Sequence, residues 1–141
     1  MMDNFVLITP QGKVKGRLKD SCIKYLGVPY AEAPVGNLQF KAPIEKKEWF
    51  GELDATKFAN DPIQHPMYFR CSEDCLYLNV YVPKCVSLGK IPVVVWLFGG
   101  SYVHGGCRGT VAKHGKRGLY DAETFAVENS CIVVTVNYRL G

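Results

Sequence analysis

The sequence predicts an α/β domain with a mostly parallel central sheet and a small antiparallel sheet at its amino-terminal end. Three observations carry this. Residues 91–98 form a continuous apolar, β-branched run that stops at Gly99-Gly100, the pattern of a strand buried on both faces. Residues 132–136 form a second such run, and the stretch before it, 121–128, has a helical pattern. Strand, helix and strand make a crossover unit, which places the two apolar strands parallel in one sheet. Ahead of both lie short strand-like segments separated by turn residues, the signature of hairpins.

The elements follow in order. Residues 4–9 read as a strand, Pro10-Gln11-Gly12 as a turn, and 13–16 as the hairpin partner. Residues 22–27 are a third short strand. Pro29, Pro34, Gly36 and Pro43 punctuate 28–43, so that stretch is an ordered loop rather than a helix. Trp49-Phe50-Gly51 is expected to anchor the returning loop to the core, and 54–66 is polar and irregular. Residues 76–82 alternate as a strand ending at Pro83, with 84–89 as a turn. Pro92 fits only near the start of its strand. Residues 103–118 hold five glycines and form a surface loop. In the helix, Asp121 is the expected N-cap, with Phe125 and Ala126 facing the sheet. No further crossover helix follows the strand at 132–136, as expected of the first part of a longer domain.

Composition narrows the function classes. A chain of 141 residues, 48% hydrophobic and 21% charged, suits a single modest globular domain with a real core. Its net charge of +4 is local, because no acid lies between Asp74 and Asp121 while Lys84, Lys90, Arg108, Lys113, Lys116 and Arg117 do. A solvated basic loop accounts for this. No RNA-binding aromatic motif or zinc-finger spacing accompanies it, so nucleic-acid binding is not expected. Phe5-Val6-Leu7-Ile8 is too short for the core of a signal peptide, and no run reaches the length of a membrane span. A cytoplasmic location is the default expectation. The six cysteines are too sparse for a disulfide framework. Cys131 reads as a buried small hydrophobe. Cys71 and Cys75 bracket three residues, an awkward spacing for a bond. His104 and Cys107 could join them only in a weakly supported zinc site.

The informative stretch is the end of the run at 91–98. Two glycines let the backbone turn sharply and leave its N–H groups uncovered. Open α/β sheets place their chemistry at the carboxyl ends of central strands. Exposed N–H groups there can hold a developing oxyanion. Glycine pairs also close ordinary turns. No G-x-G-x-x-G and no G-x-x-x-x-G-K-[ST] occurs, which argues against a dinucleotide or nucleotide site.

Several blocks then fall in one order: Tyr25-Leu26-Gly27-Val28-Pro29-Tyr30-Ala31-Glu32-Ala33-Pro34-Val35-Gly36, Leu38 to Pro43, Trp49-Phe50-Gly51-Glu52-Leu53-Asp54-Ala55-Thr56, Ser72-Glu73-Asp74-Cys75-Leu76-Tyr77-Leu78-Asn79-Val80-Tyr81, Val94-Val95-Trp96-Leu97-Phe98-Gly99-Gly100, and Asn137-Tyr138-Arg139-Leu140-Gly141. With them the chain resembles the amino-terminal part of the type-B carboxylesterase and cholinesterase family. The resemblance implies an α/β-hydrolase fold and hydrolysis of small-molecule carboxylic esters by the full-length protein, with no cofactor and no metal. It implies an oxyanion hole whose loop donors are the N–H groups of Gly100 and Ser101, supported by Gly99. Ser101 stands where the family commonly has a third glycine, and Phe98 where His or Tyr is common. Catalytic residues are not expected among these residues. No G-x-S-x-G occurs, and the order Ser, acid, His would put all three after Gly141. The chain alone is therefore expected to be inactive. A non-catalytic, protein-binding homologue and a truncated product without function are the alternatives.

Three departures follow from the same comparison. Gln39 stands where the family often has an Arg paired with the Glu of the Ser-Glu-Asp-Cys block, so Glu73 needs another partner or must face water. Cys75 matches a disulfide cysteine whose usual partner falls near Pro62, leaving Cys71 as the possible partner here. The loop at 103–118 is longer than usual and basic.

Overall fold

The computed structural model describes residues 4–65, 70–84, 89–109 and 120–141. Strands are β1 (Asn4–Thr9), β2 (Gly12–Lys19), β3 (Cys22–Pro29), β4 (Glu52–Asp54), β5 (Asp61–Pro62), β6 (Cys71–Ser72), β7 (Tyr77–Pro83), β8 (Val93–Leu97) and β9 (Ile132–Val136), and helix α1 is Glu123–Glu128. Among the described residues the main sheet has seven strands in the order β1-β2-β3-β7-β9-β8, with β4 beside β2.

The amino-terminal hairpins form as the turn residues predict. β1 pairs with β2 through Thr9 and Gly12, where the Thr9 hydroxyl donates to the Gly12 carbonyl at 2.8 Å. Gly12 has φ +149°, and a Cβ there would lie 2.6 Å from the Trp49 indole nitrogen. β2 and β3 close through Asp20-Ser21, with Asp20 at φ 53°.

The sheet differs from the expected one in parentage and direction. The hairpins are not a separate small sheet. β3 uses its second edge to pair antiparallel with β7, which pairs antiparallel with β9. Along that path only the β8–β9 pair is parallel. Hydrogen-bonding groups on the free edge of a hairpin must be satisfied, and β7 satisfies those of β3. The crossover unit is as predicted: β8, α1 and β9 follow one another, and β8 and β9 are adjacent and in register from Val93–Ile132 to Leu97–Val136.

Alternation along the strands divides the core in two. On one face Cys22, Leu26, Tyr81, Cys131 and Val133 pack beneath Ala126 of α1. On the other, Val14, Tyr25 and Ala55 pack with Trp49, Leu53, Val80 and Val82. Trp49 is the anchor the sequence suggests, its Nε1–H donating to the Lys13 carbonyl at 3.0 Å. Phe50 is fully exposed instead.

Two expectations of burial fail. Among the described residues β8 is an edge strand, and Val93, Val95 and Leu97 remain 57%, 58% and 64% exposed. Its neighbour is β9, while α1 packs over β3, β7 and β9. Phe125 is half-exposed, and Ala126 alone of the predicted pair reaches the sheet. The helix begins one residue later than an Asp121 cap requires, with Ala122 at the cap.

The cause of that shift is a buried ion cluster. Lys24, 2% exposed on β3, holds Glu123 at 2.5 Å and Asp121 at 3.1 Å, and it lies 5.5 Å from the centre of the Tyr81 ring. The Asp121 carboxylate is thus drawn to an ammonium as well as to the Glu123 N–H, which it accepts at 3.4 Å. Removing one member of such a cluster strands the others in low dielectric. Lys24→Met is therefore expected to lower unfolding free energy by about 3–5 kcal/mol in urea denaturation. Glu123→Gln, which leaves the Lys24–Asp121 pair, should cost clearly less. Equal losses would rule out the cluster as the anchor of α1.

Candidate oxyanion loop

β8 delivers the chain to Phe98, the first residue of a tight loop. Phe98 is buried at 3% exposure, its ring stacked on Tyr138 with centroids 4.1 Å apart and planes 6° apart. The Tyr138 hydroxyl donates to the Phe98 carbonyl, and Tyr102 meets Tyr138 edge-on at 5.8 Å. The Tyr102 carbonyl accepts the Gly141 N–H at 3.2 Å. In the sequence Tyr138 and Gly141 stand out only as parts of a matching block. The structure shows that they hold the loop from outside.

Within the loop the Gly100 carbonyl accepts the N–H groups of Val103 at 3.0 Å and His104 at 3.2 Å, closing a turn. Gly100 has φ +134°, and a Cβ there would fall 1.9 Å from the His104 carbonyl oxygen. Glycine is obligatory at this position on both counts. Ser101 and Tyr102 follow at φ 55° and 59°, both left-handed. Neither the Gly100 nor the Ser101 N–H finds an acceptor among the described residues. Gly100 and Ser101, the two expected donors, are consecutive residues on one turn beyond the carboxyl end of β8. Gly99 is different, since a Cβ there would meet nothing within 4 Å.

The polar bed beneath the loop was not legible in the sequence. Asn137, 1% exposed, accepts the Cys107 N–H at 2.7 Å and donates to the Asn60 carbonyl at 3.0 Å. Asn79, also 1% exposed, donates to Cys107 Sγ and Thr135 Oγ1, each at 3.0 Å, and accepts the Gly27 N–H at 2.9 Å. Arg108 pairs with Asp61 at 2.6 Å. Burial raises the Asp61 carboxyl above the ordinary range despite that guanidinium. Hydrogen-bonded side chains at the ends of strands have no periodic signature, so only the chain's folding could reveal them.

Two predicted contacts take other forms. Cys75 is a buried thiol and is not bonded to Cys71; it packs with Ala31 and Leu76. Burial, reinforced by Glu73 and Asp74, pushes that thiol up to about 12. Gln39 and Glu73 are exposed, so Glu73 takes the solvent-facing course. Among the described residues no group of His, Cys, Asp or Glu is arranged to hold a metal, and no helix is long and apolar enough to cross a membrane. Residues 110–118 of the glycine-rich loop and 85–88 of the expected turn lie outside the described residues.

Comparison with known proteins gives the geometry its setting. Residues 3–141 match the model of the carboxylesterase family, and the chain belongs to that family. It is 38% identical to the para-nitrobenzyl esterase of Bacillus subtilis (strain 168) across 99% of its own length and 28% of that protein's. It is 33% identical to the acetylcholinesterase of Leptinotarsa decemlineata, covering 99% of this chain and 25% of that one. A solved para-nitrobenzyl esterase structure superposes with a TM-score of 0.85 at 41% identity, over 96% of this chain and 27% of that one. The chain thus spans about a quarter of the length of the relatives it matches.

Two expectations test the loop. Ser101→Gly relieves a left-handed residue with no loss of contact, and should raise stability by about 1 kcal/mol in urea melts. Gly100→Ala should fail to give a natively folded loop, and an unchanged melt for that variant would refute the close approach to His104. Separately, Cys75 should resist iodoacetamide at pH 8 in the native chain and react once urea unfolds it, because only the thiolate attacks.

Proposed function

We propose that the chain supplies the oxyanion-binding segment of a serine hydrolase acting on small-molecule carboxylic esters. One observation carries the reading: two consecutive N–H groups, Gly100 and Ser101, have no acceptor among the described residues and lie just beyond the carboxyl end of β8. When a nucleophile adds to an ester carbonyl, the oxygen gains a full negative charge. Fixed donors aimed at that oxygen stabilise the tetrahedral state more than the ground state. Here the donors are backbone groups on a turn held by Tyr138 and the Gly141 N–H, so little reorganisation accompanies the reaction. The nucleophile must come from outside these residues, because no G-x-S-x-G occurs in the chain. Ser101 sits on the donor turn at φ 55° and not on a strand-to-helix elbow. The 141 residues by themselves are expected to show no turnover.

A second reading, a homologue that binds proteins without catalysis, is favoured by Ser101 in the position where the family commonly has glycine. A left-handed serine costs conformational energy of about 1–2 kcal/mol. Its Cβ also occupies space beside the donors.

A chimera separates the two. Residues 1–141 would replace the matched 28% of the Bacillus para-nitrobenzyl esterase, and hydrolysis of a p-nitrophenyl ester would be measured. Functional donors predict a kcat within about tenfold of the parent, whereas loss of one donor costs about 10²- to 10³-fold. A folded chimera that is inactive and regains turnover with Ser101→Gly would favour the non-catalytic reading.

A further inference from the structure

Gln64 lies two residues beyond β5 and is 8% exposed. Its carboxamide meets both backbone groups of one residue across the loop. The Gly105 N–H donates to Oε1 at 2.9 Å, and Nε2 donates to the Gly105 carbonyl at 2.8 Å. The second Nε2 hydrogen goes to the Pro62 carbonyl at 3.0 Å. Both side-chain donors are therefore used, as burial requires. The side chain imitates a strand partner at a point where the backbone has none.

Gly105 in turn lies directly against the start of the donor turn. It has φ +130°, and a Cβ on it would fall 2.4 Å from the Phe98 ring and 2.8 Å from the Gly99 carbonyl oxygen. The segment carrying Gln64 is itself held. β5 pairs with β6, and Asp61 grips Arg108 three residues past Gly105. A chain of contacts thus runs from β5 through Gln64 and Gly105 to Phe98-Gly99, the two residues that precede the Gly100 and Ser101 amides.

We infer that Gln64 is a positioning residue for the oxyanion donors, its carboxamide clamping Gly105 so that the turn presents the Gly100 and Ser101 N–H groups in one fixed direction. The inference deepens the donor reading above, and the two fail separately. An inactive chimera would count against ester hydrolysis and leave the clamp standing. Undisturbed amides would remove the clamp and leave the chemistry.

The test uses backbone amide NMR signals of the 141-residue chain, with Val14 and Leu26 as remote references. Gln64→Glu keeps the acceptor for the Gly105 N–H but turns a carboxylate toward the Gly105 and Pro62 carbonyls, which it repels. At pH 7.5 the Gly100 and Ser101 signals should move while the references hold. Burial beside two carbonyls favours the neutral acid, so acidification should protonate the carboxyl and restore an O–H donor. The Gly100 and Ser101 signals should then return toward their wild-type positions at the same low pH. Gln64→Met, of similar length but without donors, should show the displacement and no return. The clamp is refuted if the two amides stay in place in both variants, if the references move equally, or if acid brings no recovery in Gln64→Glu.

Discussion

Asn137 is the point on which the site depends. Almost completely buried at the end of β9, it uses every polar group it has. Its own N–H donates to the Tyr77 carbonyl and its carbonyl accepts the Tyr30 hydroxyl, while its side chain joins the Cys107 N–H to the Asn60 carbonyl. A buried amide left half-satisfied loses about 1–3 kcal/mol per orphaned group. The four partners are therefore coupled: the strand end, the early loop and both arms of the irregular structure must meet in one arrangement. The turn proposed to hold the oxyanion is joined to that arrangement through the next residue, Tyr138, whose ring stacks on Phe98.

The turn itself stores strain. Two consecutive residues with side chains, Ser101 and Tyr102, sit in the left-handed region after a glycine that admits no substitute. Such geometry persists only where the surroundings over-determine it. Here the surroundings are identifiable. The Phe98–Tyr138 stack fixes the entry, the Gly100 carbonyl closes the turn, and the Gly141 N–H holds Tyr102 from the far side. Strain of this kind suits the donor role proposed for the two amides, since amides that had relaxed into ordinary hydrogen bonds would have nothing left to offer an oxyanion.

Beneath the sheet the Lys24 cluster plays a different part. One ammonium meets two carboxylates in a poorly solvated place. Such a group adds little stability over an apolar equivalent and mainly penalises its own disruption. Its effect is on placement, tying the start of α1 to β3 and so setting how the crossover approaches β9. The exposed β8 face lies beyond its reach.

The local elements were legible because each has a local cause. Alternation marked β2 and β7, uninterrupted apolar runs marked β8 and β9, and Gly99-Gly100 marked the end of β8, where backbone donors can be exposed. The ordered blocks that run through Gly27-Val28-Pro29-Tyr30, Ser72-Glu73-Asp74-Cys75 and Asn137-Tyr138-Arg139-Leu140-Gly141 identified the family. Other features needed the folded chain. The join of the hairpins to the main sheet depends on which strand satisfies the second edge of β3. The exposure of β8 depends on what covers an edge, and the shift of the helix cap on a lysine 97 residues before Asp121. The grip of Gln64 and Asn137 on the donor loop is likewise a contact between residues far apart in sequence. Periodicity and turn chemistry report a residue's neighbours along the chain. The path of the chain through Gly100 and Ser101 is set by neighbours across it, and only tertiary packing decides those.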